Sequence, residues 1–197
     1  MLLSKNSLLN LQSGRSTLEI LGVLAVVAVL SIAGIAGYAK VMEKINIDET
    51  LQQLSEIVTN TRQLLESQLT YAGLDNDFAV KFSLIPAKMV KSHDTIEHNY
   101  GGEVKIKSVS DGNGFALVYN GLPSTVCVQI ATAPLKFEEN GLRYLIVKPF
   151  AYDLPRNFPK TLSNGEFAHE ELPITYPQAV ENCGCQTSTC GVAFFFQ

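Results

Sequence analysis

Four cysteines, Cys127, Cys183, Cys185 and Cys190, and three histidines, His93, His98 and His169, carry the most reactive side chains of this sequence. Cys183-Gly184-Cys185 followed by Cys190 fits none of the usual zinc spacings, and an even number of cysteines suits disulfides better than a metal cluster. A bridge between Cys183 and Cys185 would close a strained small ring across Gly184. Two arrangements remain: Cys127 pairs with Cys183 or with Cys185, and the other of those two pairs with Cys190. His93 and His98 stand five apart in a polar stretch and read as solvated side chains. A nucleophilic triad needs a Ser or Cys beside a positioned His and a carboxylate, and no local pattern of that kind is present. Asp111-Gly112-Asn113-Gly114 reads as a tight turn rather than a phosphate cradle, and Lys105 and Lys107 as the solvated face of a strand. This chemistry predicts no enzyme, no cofactor and no metal site.

Glu19 has a different significance. It abuts Ile20–Ala39, twenty residues without a charge. At 1.5 Å per residue, a helix of that length spans roughly 30 Å, the thickness of a bilayer's hydrocarbon core. A carboxylate drawn into such a segment costs roughly 2.5–3.5 kcal/mol at the centre, so Glu19 would need a partner. A cleaved secretory signal accounts for the run less well. Its apolar region would be about twice the usual length, and Gly37 and Ala39 make a poor cleavage site. Lys5 and Arg15 precede the run, while Lys40 and Lys44 beyond it are mixed with Glu43, Asp48 and Glu49. That bias favours a cytoplasmic N-terminus and an exported remainder, where cysteines oxidise.

The elements that must position these groups can be read along the chain. Its 197 residues suffice for one ordinary domain. With 15 basic and 19 acidic side chains the net charge is −4, which argues against nucleic acid as the main partner. The 46% hydrophobic content argues against disorder. Ile47, Leu51, Leu54, Val58, Thr61 and Leu65 recur at steps of three and four, so the first helix continues past the apolar run as an amphipathic one, with Glu49, Gln52, Gln53, Asn60, Arg62 and Gln63 mostly off the stripe. Tyr71-Ala72-Gly73 and Asp75-Asn76-Asp77 read as its stop and a loop. Phe78–Val90 is ambiguous. Glu103–Val109 alternates as a half-buried strand, and Phe115–Tyr119 returns from the turn to complete an antiparallel hairpin. Leu122–Ala133 reads as a short helix with Pro123 near its start, Leu142–Val147 as a strand and Gly191–Phe196 as a C-terminal strand. Five prolines between Pro149 and Pro177 argue against long regular elements there.

Gly14-Arg15-Ser16-Thr17-Leu18-Glu19-Ile20 followed by the apolar run resembles the N-terminus of a type IV prepilin. Leu84-Ile85-Pro86-Ala87-Lys88-Met89-Val90, Tyr100-Gly101-Gly102-Glu103-Val104 and Leu122-Pro123-Ser124-Thr125-Val126-Cys127 are similar to segments of the type IVb branch. The resemblance implies a leader, 1–14, removed after Gly14 by a prepilin peptidase. It also implies a long helix over 15–70 that includes the membrane segment 20–39, and an exported head over 71–197. The fold expected is α+β, a long N-terminal helix packed on an antiparallel sheet. Family members usually begin the mature chain with an N-methylated hydrophobic residue, a position that Arg15 holds here. In the family the counterpart of Glu19 pairs with the terminal amine of a neighbouring subunit. A long bridge from Cys127 to the C-terminal segment also fits the resemblance.

The function expected is that of a major or minor pilin. It would reside in the inner membrane as a precursor, with other pilin subunits, the prepilin peptidase and the pilus assembly machinery as partners. After assembly it would lie in an extracellular filament. Alternatives are a pseudopilin of a type II secretion system and a membrane-anchored binding protein that never polymerises.

Overall fold

A computed structural model describes residues 17–133, 141–159, 161–185 and 190–197. Gly14 and Arg15, at the expected cut, lie outside the described residues. Contacts divide the chain into two compact units, Met1–Lys44 and Ile45–Gln197.

In the first unit every described residue belongs to helix α1 (Thr17–Leu65). Its apolar side chains face outward: Leu21, Leu24, Val29, Ile32 and Ile35 are each between 58% and 70% exposed. One helix of the described residues is thus long and apolar enough to cross a membrane, and no described residue buries its apolar stretch.

In the second unit the same helix becomes two-faced. Ile47, Leu54, Ile57, Val58 and Leu65 are buried while Asp48, Gln52, Ser55, Glu56, Thr59 and Gln63 are exposed. Gln53 is buried too, a correction to its placement off the stripe. At 100° per residue it lies beside Leu54 and Ile57, inside the width of the covered face. The α-helix stops at Leu65, passes into a 3-10 turn at Glu66–Gln68, and ends at Leu69, whose φ of +54° cannot continue it.

The remaining elements are α2 (Asn76–Lys81), β1 (Ile96–Glu97), β2 (Glu103–Val109), β3 (Gly114–Leu122), α3 (Ser124–Ala131), β4 (Leu142–Lys148), β5 (Glu166–Ala168), α4 (Tyr176–Asn182) and β6 (Cys190–Phe196). The six strands form one antiparallel sheet in the order β1-β2-β3-β6-β4-β5. The β2–β3 turn takes left-handed φ at Ser110, Asp111 and Gly112, one residue earlier than the Asp-Gly-Asn-Gly signal suggests. Gly114 is already in β3, where the backbone of β6 and the ring of Phe158 leave no room for a side chain.

The C-terminal strand β6 is central, between β3 and β4, and all seven of its residues are buried. That accounts for its unbroken apolar run, since a strand covered on both faces has no polar side to show. On one face Phe115, Leu117, Tyr119, Val192, Phe194, Phe196, Leu145 and Val147 pack with α1, α3 and α4. The other face presents Ala116, Val118, Ile146, Ala193 and Phe195, and the proline-rich segment covers it with Tyr152, Leu154 and Phe158.

Beyond its short pairing with β1, the edge of β2 is closed by a side chain. The Asn76 carboxamide donates to the carbonyls of Val104 at 3.1 Å and Asp94 at 2.9 Å, and accepts from the Ile106 N–H at 2.8 Å. The Leu74 carbonyl accepts from the Ser108 N–H at 2.9 Å. An open edge would otherwise be a template for unwanted pairing. Asn76→Ala leaves those backbone groups without their partner and should cost about 1–3 kcal/mol, read as a lower midpoint in denaturant unfolding of the full-length chain in detergent. An unchanged midpoint would mean that water replaces the carboxamide without loss.

Candidate functional site

Glu19 lies in the first turn of α1, where the positive end of the helix dipole favours a carboxylate. It is exposed, and Ile20, Leu21, Val23 and Leu24 follow it. Among the described residues no donor reaches it. The arrangement is a negative charge at the head of an exposed apolar run.

The cysteines form a second arrangement. Cys127 in α3 is bridged to Cys183, the residue that caps α4, with Cα atoms 5.8 Å apart. Cys185 is bridged to Cys190 at the start of β6, with Cα atoms 5.7 Å apart. Of the two pairings the spacing leaves open, the structure therefore has Cys127–Cys183. Cys127, Cys183 and Cys190 are fully buried. Helices of eight and seven residues do not persist alone in water, so α3 and α4 depend on this junction. The Ser124 hydroxyl reinforces it by donating to the Cys183 carbonyl.

Between Pro149 and Pro177 the regular elements are short, and α4 begins at the end of that stretch. Thr175-Tyr176-Pro177-Gln178 is a capping box: the Gln178 carboxamide accepts from the Thr175 N–H at 2.8 Å and from its hydroxyl at 2.6 Å. The proline sits in the first turn, where a missing N–H costs nothing. The Thr-x-x-Gln spacing was the available signal.

The proline-rich segment is also tied down, by groups that the sequence does not flag. Asn120 holds Tyr152 as a neighbouring strand would, donating to its carbonyl at 2.9 Å and accepting from its N–H at 2.7 Å. The Ser110 N–H donates to the Arg156 carbonyl at 2.8 Å, and the Phe158 N–H to the Ser110 hydroxyl at 3.0 Å. Lys148 pairs with Glu166 at 3.0 Å, both largely buried, and donates to the Asn164 carbonyl at 2.7 Å. Burial pushes the Glu166 carboxyl up, but the Lys148 ammonium and the Ser163 N–H together outweigh it and hold it below the ordinary glutamate value.

His98 is the clear correction among the titratable groups. It is 3% exposed rather than solvated, with its ring between the β1–β2 turn and β3. His93 is exposed, as its polar surroundings suggest. Among the described residues no three His, Cys, Asp or Glu side chains converge to hold a metal ion. A groove of about 560 Å³ beside β2 gathers Asp75, Asp94 and Asp153 around Lys105 and Lys107. Asp75 caps α2 and Asp153 pairs with Lys105 at 3.7 Å, so these charges are spent on the fold.

A long helix laid on an antiparallel sheet whose C-terminal strand is central defines a class. It is the fold of a solved type IV pilin, TcpA from Vibrio cholerae El Tor biotype, to which the chain is similar with a TM-score of 0.53. The likeness covers 77% of this chain and 99% of that one at 16% sequence identity, and so speaks to the fold. Residues 44–143, half of the chain, match the family model described as PilS N terminal, and the chain belongs to that family of type IV pilins. A search of curated proteins finds no match.

Two expectations follow from the bridges and the buried ion pair. Cys127–Cys183 spans 56 residues and Cys185–Cys190 only five. In the chain-entropy account these closures are worth about 4 and about 2 kcal/mol. Replacing Cys127 and Cys183 together by Ser should lower the melting temperature well beyond replacing Cys185 and Cys190 together. Equal losses would show that the bridges act through local packing and not through loop closure. The depressed Glu166 carboxyl contributes stability that is complete above the ordinary glutamate range and is lost as pH falls through its lowered value. Glu166→Gln should cost about 1–3 kcal/mol at neutral pH and flatten the acid limb of the stability curve, measured by denaturant unfolding from about pH 7 down to about pH 3.

Proposed function

We propose that the chain is a structural subunit of a type IV pilus, made as a membrane-held prepilin and polymerised into a filament. The observation that carries this reading is the two-part character of α1. From Ile47 its apolar face is built into the head, whereas from Ile20 its apolar surface is left uncovered by the described residues. A hydrophobic stripe of that extent requires lipid or other helices around it. Both are supplied in turn if the subunit waits in the inner membrane, N-terminus in the cytoplasm, and then leaves it for a bundle of identical helices. Membership of the pilin family supports that route, as does the likeness to a pilin in fold.

Glu19 is the residue that would make the transfer directional. In a lipid environment its carboxylate is costly, and in the filament the free amine at the start of a neighbour's mature chain would pair with it. That amine exists only if the leader is removed, which makes cutting after Gly14 by a prepilin peptidase the step that licenses assembly. The head, closed by two disulfides and without an uncovered apolar sheet face, would form the filament's exterior.

Intact-mass measurement of the full-length chain, co-expressed with and without a prepilin peptidase, tests the processing step. Cleavage leaves Arg15–Gln197, 183 residues. A mature terminus near Lys40 would instead make the apolar segment a disposable signal. For assembly, Glu19→Ala should insert in the membrane at normal levels and give few sheared filaments, because removing the carboxylate eases membrane residence and takes away only the docking charge. A normal filament yield would show that the carboxylate does not guide assembly.

A further inference from the structure

Neither polymerisation nor processing uses His98, and the surroundings of this residue are specific. It directly follows β1, where the chain turns into β2. Its own backbone closes that turn, with the His98 N–H donating to the Gly102 carbonyl at 3.0 Å and the Gly101 N–H donating to the His98 carbonyl at 2.8 Å. Both ring nitrogens are engaged. The Tyr100 N–H donates to Nδ1 at 3.1 Å, and Nε2 lies 2.7 Å from the Asn120 carbonyl oxygen. Since Nδ1 accepts, the proton sits on Nε2 and is donated to Asn120: one neutral tautomer satisfies both partners. The ring stacks on Tyr119 with centroids 5.8 Å apart, and Gly102 is pressed so closely against the imidazole and the Asn120 carbonyl that no side chain would fit there.

Asn120 extends the arrangement. Its carbonyl receives His98 while its carboxamide clamps the backbone of Tyr152 on the other side. Tyr152 begins the segment, through Phe158, that covers Val118, Ile146, Ala193 and Phe195. A single residue thus connects the imidazole to the strap over one face of the sheet.

We propose that His98 is an acid-sensitive latch: protonation at Nδ1 removes the acceptor of the Tyr100 N–H, opens the 98–102 turn, and through Asn120 loosens the 150–159 strap from the sheet.

The charges around the ring do not offset this. Glu97 on β1 is the carboxylate that acts on it, and it lies 3.8 Å from Lys91. Glu103, opposite Glu97 in β2, pairs with Lys105, which also meets Asp153 of the strap. From β3 the ring faces the buried, neutral phenol of Tyr119, and from its own turn Tyr100. Helix α1 presents neutral Gln53 to Asn99 at 3.5 Å, while Glu49 one turn away is held by Lys88. Burial is the largest influence on the imidazole and lowers its pKa, against the Asn120 carbonyl and Glu97, which raise it. A folded pKa below the unfolded value means that the contribution of His98 to stability is complete above about pH 6.5 and declines as pH falls from there through the lowered value. Glu166 titrates below the ordinary glutamate range and so outside this window.

Hydrogen exchange of the full-length chain in detergent, read by mass spectrometry at about pH 7.5 and about pH 5 and corrected for intrinsic rates, tests the latch. In the wild type, segments 98–102 and 150–159 should lose protection about tenfold at the lower pH, with β6 unchanged. His98→Gln keeps a donor and an acceptor but cannot titrate, and should abolish the acid-induced rise. If that variant does not fold, the imidazole titration of wild-type His98 by NMR provides the second reading. Its midpoint must lie below the ordinary histidine value and coincide with the midpoint of strap exchange. No rise in the wild type, an equal rise in the variant, or two separate midpoints would each overturn the proposal.

Discussion

An apolar stretch of helix that no described residue covers is the constraint on which this protein depends. Ile20–Ala39 is too long and too uniformly hydrophobic to remain in water. Burying such a surface is worth roughly 25 cal/mol for each Å² removed from water, so the helix must be surrounded by something throughout its life. A bilayer and a bundle of like helices are the two surroundings that satisfy its backbone and its side chains alike. In either surrounding a buried carboxylate such as that of Glu19 is costly without a counter-charge.

The head answers the other requirement, that the same helix be held firmly at its far end. Ile47, Leu54, Ile57, Val58 and Leu65 lie against a sheet whose central strand is the last of the sequence. Because β6 pairs with both β3 and β4, the sheet is incomplete until the C-terminal residues are in place. The two bridges fix that arrival: one joins α3 to the end of α4, the other joins the chain just beyond α4 to β6. The opposite face of the sheet is closed by a strap without regular structure, held at Asn120 and Ser110. Pinning a proline-rich segment at two points fixes it at low entropic cost, because its prolines have already surrendered much of their freedom.

What the sequence disclosed follows the physics of each element. Glu103–Val109 alternates because one side faces the core, and a Gly-Asn-Gly turn follows it, so the hairpin was legible. Leu142–Val147 and Gly191–Phe196 were legible as apolar runs, although nothing in the run itself says that β6 is central. The amphipathic half of α1 was legible from its spacing, except that Gln53 reads as polar wherever it points. Helix α4 was concealed by Pro177, whose usual meaning is reversed in a first turn, and β1 by its length of two residues. His98 and Asn120 could not be recognised, because a polar residue among polar neighbours looks solvated until the fold brings a distant backbone to it. The strap's anchors share that character: Asn120 and Tyr152 are 32 residues apart, and no local pattern encodes their pairing.

Helical reconstruction by cryo-electron microscopy of filaments sheared from cells that express this chain tests the central claim most directly. The account predicts chains that begin at Arg15, with residues 20–39 of neighbouring subunits packed along the filament axis. Each Glu19 carboxylate should lie within ion-pair distance of an adjacent subunit's terminal amine, and the six-stranded heads should lie outside. Filaments that lack this chain, while it stays in the membrane with residues 1–14 attached, would contradict it.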